Sequence, residues 1–440
     1  MMAETQLERR RFFGLLATTA ALSTELGCQA ASAQAPAQAA PPSDEWERVR
    51  AEFNLSPDYV HLAGFLLASH PRPVREAIER HRKALDDNPA LYVEANFANS
   101  RPMLEPAAEY LGAKPEEIAL TDSTTMSLAV LYAGLPLAAG DEVLTTTHDH
   151  YSSHESLRLA TLRAGASLRK VALYERSAEA TPAGMTAAIA RAISPQTRVV
   201  AITWVHSSTG VRTPVKAIAE VIAAANAKRA PEQQIWLCVD GVHGFGIEDV
   251  TMAELGCDFF AAGTHKWLFG PRGTGILWGK AEHWPKLRPI IPHFGEAAFG
   301  AWMKGEAPPP TSADMMTPGG FHSFEHRWAL GEAFRFHLAI GKRKVQERIH
   351  ELNRQCKEGL ARMKHVQLHT PRSDEASSGI ITFEVAGLKP EQIVHRLVER
   401  KIVASATPYA TSYGRLAPGL LNNPAEIDRA LAEVRALAKS

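Results

Sequence analysis

Net charge, cysteine pairs and long apolar runs are scarce in this 440-residue sequence, and each scarcity excludes a class of protein. Lys plus Arg and Asp plus Glu both number 48, so no net field is available to recruit nucleic acid or an anionic membrane. The four cysteines include no C-x-x-C pair, which argues against a disulfide framework and a zinc site. Beyond the N-terminal region, no segment reaches the roughly 18 consecutive apolar residues that a membrane span needs. The chain fits two or three globular domains.

The N-terminus has the order of an export signal. Arg9 and Arg10 precede an apolar run at 15–22, and an Ala-x-Ala site follows at 33–35. A basic region, an apolar region and a small-residue cleavage site together predict a removed signal peptide over residues 1–35. The arginine pair resembles a twin-arginine (Tat) signal more than a general secretory signal.

A linker is predicted after the signal, over residues 36–43, because this stretch is rich in Ala, Pro and Ser. A frayed basic terminus is the alternative to the signal, and lipid attachment at Cys28 stays open. We expect a periplasmic or secreted protein that has no membrane contact once the signal is removed.

Strand-like and helix-like segments alternate along the rest of the chain. Apolar, β-rich runs predict strands at Glu142–Thr146, Val199–Val205, Ile235–Val239, Phe259–Ala262 and Gly275–Trp278. Between them, helical patterns occupy Met126–Ala133 and Val215–Ala227, the latter with Pro214 in its first turn. Such alternation predicts βαβ units, a mostly parallel sheet and therefore the α/β fold class.

The C-terminal third has a different pattern. A long stretch without proline, His322–Met363, predicts a helical connector between domains. Ser378–Val385 then reads as a strand, and Pro390–Arg400 and Pro424–Lys439 read as helices.

An aspartate and a lysine follow two of the predicted strands. Asp240 comes directly after Ile235–Val239, and Lys266 follows Phe259–Ala262, 26 residues after Asp240. Parallel strands would deliver both side chains to the same carboxyl edge, where open α/β sheets bind ligands. An aspartate there can keep a pyridine nitrogen protonated, and a lysine there can form an imine. The alternative is an unrelated loop aspartate and surface lysine.

The motifs Asp240-Gly241-Val242-His243 and Gly263-Thr264-His265-Lys266-Trp267 carry a family resemblance. At this spacing the sequence resembles the class V aminotransferases of the fold-type I pyridoxal-phosphate group, over roughly residues 45–440. His265-Lys266-Trp267 and the stretch from Gly319 to Arg327 make it most similar to isopenicillin-N-epimerase-like proteins.

The resemblance implies a domain plan and a cofactor, pyridoxal 5′-phosphate. The expected parts are an N-terminal segment at 44–69 that joins the small domain, a large cofactor-binding domain at 70–320 with a sheet of the seven-stranded type, and a connecting helix with a small α+β domain at 321–440. Thr317-Pro318-Gly319-Gly320 resembles a loop that reaches the partner subunit's phosphate, which implies a homodimer with shared active sites.

Several other positions match the cofactor-binding pattern of the family. Lys266 would hold the cofactor as a Schiff base, and Asp240 would hold its ring nitrogen. Ser123, Thr124 and Thr125 precede a helical run, where hydroxyls and N–H groups form a natural phosphate site. A plain N-cap is the alternative there. His265 is expected to add a donor to the same phosphate.

Histidines between 148 and 154 allow two interpretations. The spacing of His148, His150 and His154 is compatible with a metal site, but no complementary His/Cys cluster exists, so no metal is expected. The resemblance instead implies that His150 stacks on the pyridine face. It also implies that His243 and Ser207 contact the phenolic oxygen of the ring, where the family often has Gln and Asn.

Arg415 matches the family's clamp for a substrate α-carboxylate, which uses the bidentate guanidinium fork. The alternative is a solvated arginine before the last helix. No cysteine follows Cys356, whereas cysteine desulfurases need a mobile nucleophilic cysteine ahead of the arginine. Persulfide chemistry is therefore not expected.

Together these residues predict a pyridoxal-phosphate enzyme that acts on an amino acid or an amino-acid-containing peptide through a Cα carbanion. Aminotransferase or epimerase chemistry is preferred, with a C–S or other β-lyase as the alternative. A binding protein that kept the fold without catalysis is a third hypothesis. No nucleic-acid partner is expected.

Overall fold

A seven-stranded sheet runs through the protein, whose computed structural model describes residues 44–97 and 99–437. The predicted signal and linker lie outside these residues. The strands in the described residues are β1 Val60–His61, β2 Ile118–Thr121, β3 Glu142–Thr146, β4 Ser167–Val171, β5 Thr197–Thr203, β6 Trp236–Asp240, β7 Phe259–Gly263, β8 Gly275–Gly279, β9 Val366–Leu368, β10 Ile381–Val385, β11 Ile402–Val403, β12 Ser405–Ala406 and β13 Gly414–Leu416.

The order of the central sheet is β2-β8-β7-β6-β5-β3-β4. Strand β8 is antiparallel to both of its neighbours, and the other neighbouring pairs are parallel. The mostly parallel sheet of an α/β fold, as predicted from the alternating pattern, is confirmed.

Helices cover the sheet and connect its strands. The α-helices of the described residues span Glu45–Ala51, Arg72–Asp87, Pro89–Asn96, Arg101–Leu111, Thr124–Gly134, Tyr151–Ala164, Pro182–Ala192, Val215–Asn226, Met252–Leu255, Glu296–Lys304, Phe324–Trp328, Leu330–Ile340, Lys342–Ala361, Pro390–Glu399 and Pro424–Ala436. Within the described ranges, no helix combines the length and apolar character needed to cross a membrane.

Burial on both faces explains why the central strands are continuous apolar runs. In β6, Leu237 and Val239 belong to one hydrophobic cluster, while Cys238 between them belongs to a second cluster. Since successive side chains of a strand point to opposite faces, helices on both sides must each receive apolar residues. Removing a fully buried Val or Leu side chain from water contributes about 1.5–3 kcal/mol.

A separate hydrophobic cluster holds the C-terminal part together. It combines Phe383 of β10 with residues of the helices Lys342–Ala361 and Pro424–Ala436, and it includes Val60 and Leu62 from the N-terminal segment. Strand β1 pairs in parallel with β11. Because Ser43–Ser440 form one compact unit, the boundaries at 69/70 and 320/321 stay predictions.

Three details differ from the sequence-based expectations. The predicted connector His322–Met363 is broken, because Ala329 and Gly341 lie between successive helices and Gly341 has a φ of 96°. Pro214 is the N-cap of its helix rather than a first-turn residue. Strand β4 was not predicted, since its residues are half-exposed or exposed and include Arg169 and Lys170 at the edge of the sheet.

Candidate active site

Lys266 and Asp240 lie at the carboxyl ends of two neighbouring parallel strands, at the same edge of the sheet. Asp240 ends β6 and is in register with Ala261 of β7, and Lys266 follows the end of β7. Burial lowers the pKa of Lys266 from its ordinary value to about 8. The juxtaposition predicted from the two apolar runs is therefore present in the structure.

The Asp240 carboxylate has few partners for a buried charge. It is 2% exposed and accepts hydrogen bonds from Val242 N at 3.2 Å and from Ser153 Oγ at 3.3 Å. Burial raises its pKa to about 6, against an opposing effect of the Lys266 ammonium. A buried carboxylate with this pKa is poised to become fully ionised when a cation is placed beside it.

Gly241 explains how the chain can turn directly after Asp240. A Cβ at this position would lie 2.0 Å from the ring of Phe260. Only glycine, which has no side chain, allows the backbone at position 241 to pass this close to the Phe260 ring.

His243 contacts Lys266 directly. Its Nε2 lies 3.2 Å from Lys266 Nζ, and its Nδ1 accepts from Trp267 Nε1 at 3.4 Å. Burial, followed by the nearby Lys266 charge, lowers the pKa of His243 well below its usual range. The imidazole is therefore neutral at physiological pH.

The N-terminus of the helix that follows β2 lines the same region. Ser123 is the N-cap of the helix Thr124–Gly134, and its Oγ accepts from Met126 N at 3.1 Å. The helix itself provides no partner for the N–H groups of Thr124 and Thr125. Thr124 Oγ1 accepts from Gly263 N at 2.7 Å, which leaves its hydroxyl hydrogen free to donate. Ser123 is therefore an N-cap, and the phosphate role of Ser123, Thr124 and Thr125 stays a prediction with which this geometry is compatible.

Asp149 fixes the position of His150. Its two carboxylate oxygens accept from Thr146 N and Thr203 N, each at 2.8 Å, so the end of β3 is tied to the end of β5. His150 is then the N-cap of the helix Tyr151–Ala164, where Nδ1 accepts from Ser152 N at 3.2 Å.

The other two histidines of this stretch have structural contacts. His148 accepts from Leu173 N at 3.1 Å and stacks on Tyr174 with ring centroids 3.8 Å apart. His154 donates to Thr146 O at 2.7 Å. Among residues 44–97 and 99–437, no group of three or more His, Cys, Asp and Glu side chains is arranged to hold a metal ion.

Arg415 is a buried residue of strand β13, and its alternative reading as a solvated arginine is wrong. It is 3% exposed, and its guanidinium lies 4.4 Å from the centroid of the Phe65 ring. Its N–H groups donate to Ser405 Oγ at 3.0 Å, Ser207 O at 2.8 Å and Ala406 O at 3.4 Å. Three of the five N–H donors are thereby used, and two are left for a ligand.

Ser207 contacts a tyrosine that the sequence did not identify. Ser207 Oγ lies 2.5 Å from the hydroxyl of Tyr409, and the Tyr409 ring meets His150 edge-on at 6.2 Å. This contact connects the loop after β5 to the loop between β12 and β13.

All of the site residues predicted from the sequence line one cavity of about 210 Å³. Its lining includes Lys266, Asp240, His150, His243, Ser123, Thr124, Thr125, Ser207, His265 and Arg415. Phe65 also lines this cavity. The sequence did not identify Phe65, because an apolar loop residue that lines an active site looks the same in sequence as one that packs in the hydrophobic core. The loop Thr317–Gly320 lines a different cavity, and Thr317 Oγ1 accepts from Leu120 N at 3.0 Å.

The cavity fits pyridoxal phosphate by several independent features. His265 Nδ1 and Thr203 Oγ1 are buried and have no hydrogen-bond partner among the described residues. A Cβ at Gly263 would lie 2.9 Å from both His265 Cε1 and Thr124 Oγ1, so this glycine keeps space open beside the helix N-terminus. An anion site, a half-buried amine and a buried carboxylate match the phosphate, the aldehyde and the ring nitrogen of this cofactor.

Comparison with known proteins gives consistent results. A model of the family described as Aminotransferase class-V matches residues 95–412. Isopenicillin N epimerase from Streptomyces clavuligerus is 27% identical over 354 residues, which is 78% of this chain and 84% of the relative. A probable cysteine desulfurase from Halalkalibacterium halodurans is also 27% identical over 354 residues, at 78% of this chain and 81% of the relative.

Solved structures resemble the chain in fold. A C-DES mutant with glycine covalently linked to its PLP cofactor has a TM-score of 0.77 at 21% identity, covering 88% of this chain and 98% of that one. The cysteine desulfurase CsdA from Escherichia coli has a TM-score of 0.76 at 20% identity, covering 90% and 100%. The predicted fold-type I architecture is confirmed.

Proposed function

We propose a function from the premise that this chain belongs to the aminotransferase class-V family and is therefore a pyridoxal-phosphate enzyme. Its substrate is an amino acid, or a peptide that presents an amino acid with a free α-carboxylate, and the reaction proceeds through loss of the Cα proton. One observation carries this proposal: Lys266, Asp240 and Arg415 line a single cavity, and Arg415 has two N–H donors that its internal hydrogen bonds do not use.

The cofactor would be held from both ends. Ser123, Thr124, Thr125 and His265 would receive the phosphate, and Asp240 would hold a proton on the pyridine nitrogen. Bound pyridoxal phosphate supplies an aldehyde that captures amino groups and a ring that withdraws electrons from Cα.

Lys266 would move the reacting proton. Its amine has a pKa of about 8, so a substantial fraction is neutral near physiological pH and can accept the Cα proton. Arg415 would orient the substrate by its carboxylate, and a bound substrate and cofactor would fill much of the cavity of about 210 Å³ and leave little room for competing water.

Transfer or epimerisation is favoured over cysteine desulfuration. Persulfide chemistry needs an accessible thiolate, whereas Cys356 is buried in the helix Lys342–Ala361 and its pKa is raised to about 12 by burial. The described cysteines Cys238 and Cys257 are also buried. No specific observation favours a β-lyase.

Product analysis in deuterated water tests the reaction. Purified protein loaded with cofactor is incubated with a panel of amino acids and peptides. Deuterium at Cα with inverted configuration identifies an epimerase, and a keto acid formed without free ammonia identifies an aminotransferase. A keto acid formed together with free ammonia identifies the β-lyase alternative, and the absence of all of these products with every substrate contradicts the proposal. Lys266→Ala should abolish all of them, while Lys280→Ala, outside the cavity and paired with Asp258 at 2.7 Å, should not.

We also propose that the protein is a homodimer. The helix Glu296–Lys304 exposes Phe299, Trp302 and Met303, of which Trp302 is 72% exposed, and Phe321 beside the Thr317–Gly320 loop is 85% exposed. Apolar side chains grouped in this way are typical of an interface. Sedimentation should give a dimer that Met303→Asp weakens and Leu162→Asp, at a similarly exposed site, does not. A monomeric wild-type protein would contradict this.

Export through the twin-arginine route is a further proposal, supported by Arg9, Arg10 and Phe12 ahead of the apolar run. Replacing Arg9 and Arg10 together with lysine should retain the precursor in the cytoplasm. Arg11→Lys is the matched control and should permit export. Normal export of the double variant, measured by cell fractionation, would contradict the proposal.

A further inference from the structure

Trp267 contacts His243 on the side of the imidazole ring that faces away from Lys266. Its indole Nε1 lies 3.4 Å from His243 Nδ1, and the opposite ring nitrogen of His243 lies 3.2 Å from Lys266 Nζ. We infer that Trp267 is a positioning residue that holds His243 in the tautomer protonated at Nε2, so that His243 always presents a donor to the reacting amine.

The tautomer follows from counting protons. An indole N–H can only donate, so the Nδ1 that it contacts must offer a lone pair. His243 is 4% exposed, and the positively charged groups around it are Lys266 and Arg415, with His150 and His265 also near. A second proton on the ring is therefore disfavoured. The single imidazole proton must reside on Nε2.

This tautomer has a consequence for Lys266. An Nε2–H group that points at Nζ is satisfied only when Nζ accepts, which requires a neutral amine. An ammonium there would place two donors against each other, so loss of its proton is favoured. The charges that face Lys266 are Asp240, which favours the ammonium, and Arg415, which opposes it. Trp267, acting through His243, thus favours the neutral form of the Lys266 amine, as the charge of Arg415 also does.

A glutamine at position 243 has no tautomers to control. Its donor and acceptor are fixed on different atoms, so only the orientation of the amide decides which one faces Lys266, whereas an imidazole in one orientation donates toward Lys266 in only one of its two neutral forms. The dependence on Trp267 is therefore specific to the histidine in this chain, and it predicts that the effects of changes at 243 and 267 are not additive.

Packing and hydrogen bonding by Trp267 must be separated experimentally. The ring is 5% exposed and stacks on Phe65 with centroids 6.2 Å apart. A Cβ at Gly379 would lie 3.0 Å from it, so little space remains around the indole. Replacing the indole by benzothiophene, through incorporation of β-(3-benzothienyl)alanine, keeps the shape and removes the donor. Trp284→Phe is a matched control, since it removes another buried indole donor, bonded to Gly279 O at 3.1 Å.

The test is nitrogen NMR of cofactor-free protein labelled with ¹⁵N-histidine. The His243 signals are identified by their loss in His243→Gln. Wild-type protein and Trp284→Phe should show a protonated Nε2 and an unprotonated Nδ1, and the benzothiophene variant should show a mixture of tautomers. A protonated Nδ1 in wild type, or an unchanged tautomer in the benzothiophene variant, overturns the inference.

A second measurement tests the effect of the His243 tautomer on the Lys266 amine. The rate at which cofactor-free protein captures pyridoxal phosphate, followed by absorbance against pH, reports the pKa of the Lys266 amine. The benzothiophene variant should shift this profile upward by about one pH unit, which corresponds to the gain of a charge-assisted hydrogen bond over a neutral one. His243→Gln should remove the effect of the substitution at 267, and an equal shift in both backgrounds contradicts the mechanism.

These readouts use protein without cofactor. The inference relies on the proposed function only for the role of Lys266, so the two can fail separately. A correct tautomer in a protein with no turnover would leave the inference intact, and active enzyme with the other tautomer would leave the proposed function intact.

Discussion

Arg415→Lys is expected to raise KM for a substrate with an α-carboxylate while leaving the fold in place. The guanidinium uses three N–H donors on Ser405, Ser207 and Ala406, and the remaining two can form a fork with a carboxylate. A lysine ammonium has three donors and no fork, so it cannot keep the internal bonds and bind the carboxylate with the same geometry.

The magnitude follows from the burial of the site. Arg415 is 3% exposed, and burial lowers its pKa to about 10, so the charge has lost much of its hydration before a substrate arrives. Truncating one partner of a buried hydrogen-bonded charge pair costs about 2–5 kcal/mol. The lower value corresponds to roughly a 30-fold increase in KM.

The assay compares steady-state kinetics on the same amino acid as its free acid and as its amide. The variant should lose affinity for the acid and change little toward the amide, which has no carboxylate to clamp. Arg348→Lys, at another buried arginine that contacts Glu351 instead, serves as the control for general destabilisation. Equal KM values for wild type and Arg415→Lys on the acid would show that Arg415 does not bind the carboxylate.

Other predictions concern the neighbouring groups. Asp240→Ala should still allow capture of the cofactor but slow exchange of the substrate Cα proton by about 10²- to 10³-fold, because a buried counter-charge is lost; an unchanged exchange rate by NMR would contradict its assignment. Capture of pyridoxal phosphate should accelerate as pH rises through about 8, since burial lowers the Lys266 pKa and the amine is nucleophilic only when deprotonated; a midpoint near the ordinary lysine value would show that the amine is solvated. Tyr409→Phe should loosen the loop that contacts Ser207 and raise KM more than it lowers kcat, and the opposite split would assign Tyr409 to the chemistry.

The proximity of Asp240 and Lys266 was predictable because it depends on patterns in short stretches of the sequence. The apolar runs that become β6 and β7 are visible in the sequence, and parallel strands end at the same edge. Asp240 and Lys266 therefore had to lie close together if the sheet was parallel. Edge strand β4 was not predicted, because its half-exposed and exposed residues show no apolar pattern.

Contacts that depend on tertiary packing could not be predicted. The position of Arg415 was suggested by family resemblance, but its burial and its bond to Ser207 O require that β13 pack against the loop after β5. The Trp267–His243 bond likewise depends on how the indole packs against Phe65 and Gly379. Tyr409 lies in a loop of ordinary composition, and only the folded structure brings it to Ser207.

Lys266 is the residue that we expect to form the covalent bond with the cofactor. Protein reconstituted with pyridoxal phosphate is reduced with borohydride, digested, and mapped by mass spectrometry for the phosphopyridoxyl group. We predict one modified residue, Lys266, with the label lost in Lys266→Ala and kept in Lys280→Ala, both variants showing wild-type circular dichroism. A label on another lysine, or a label that persists in Lys266→Ala, would contradict it.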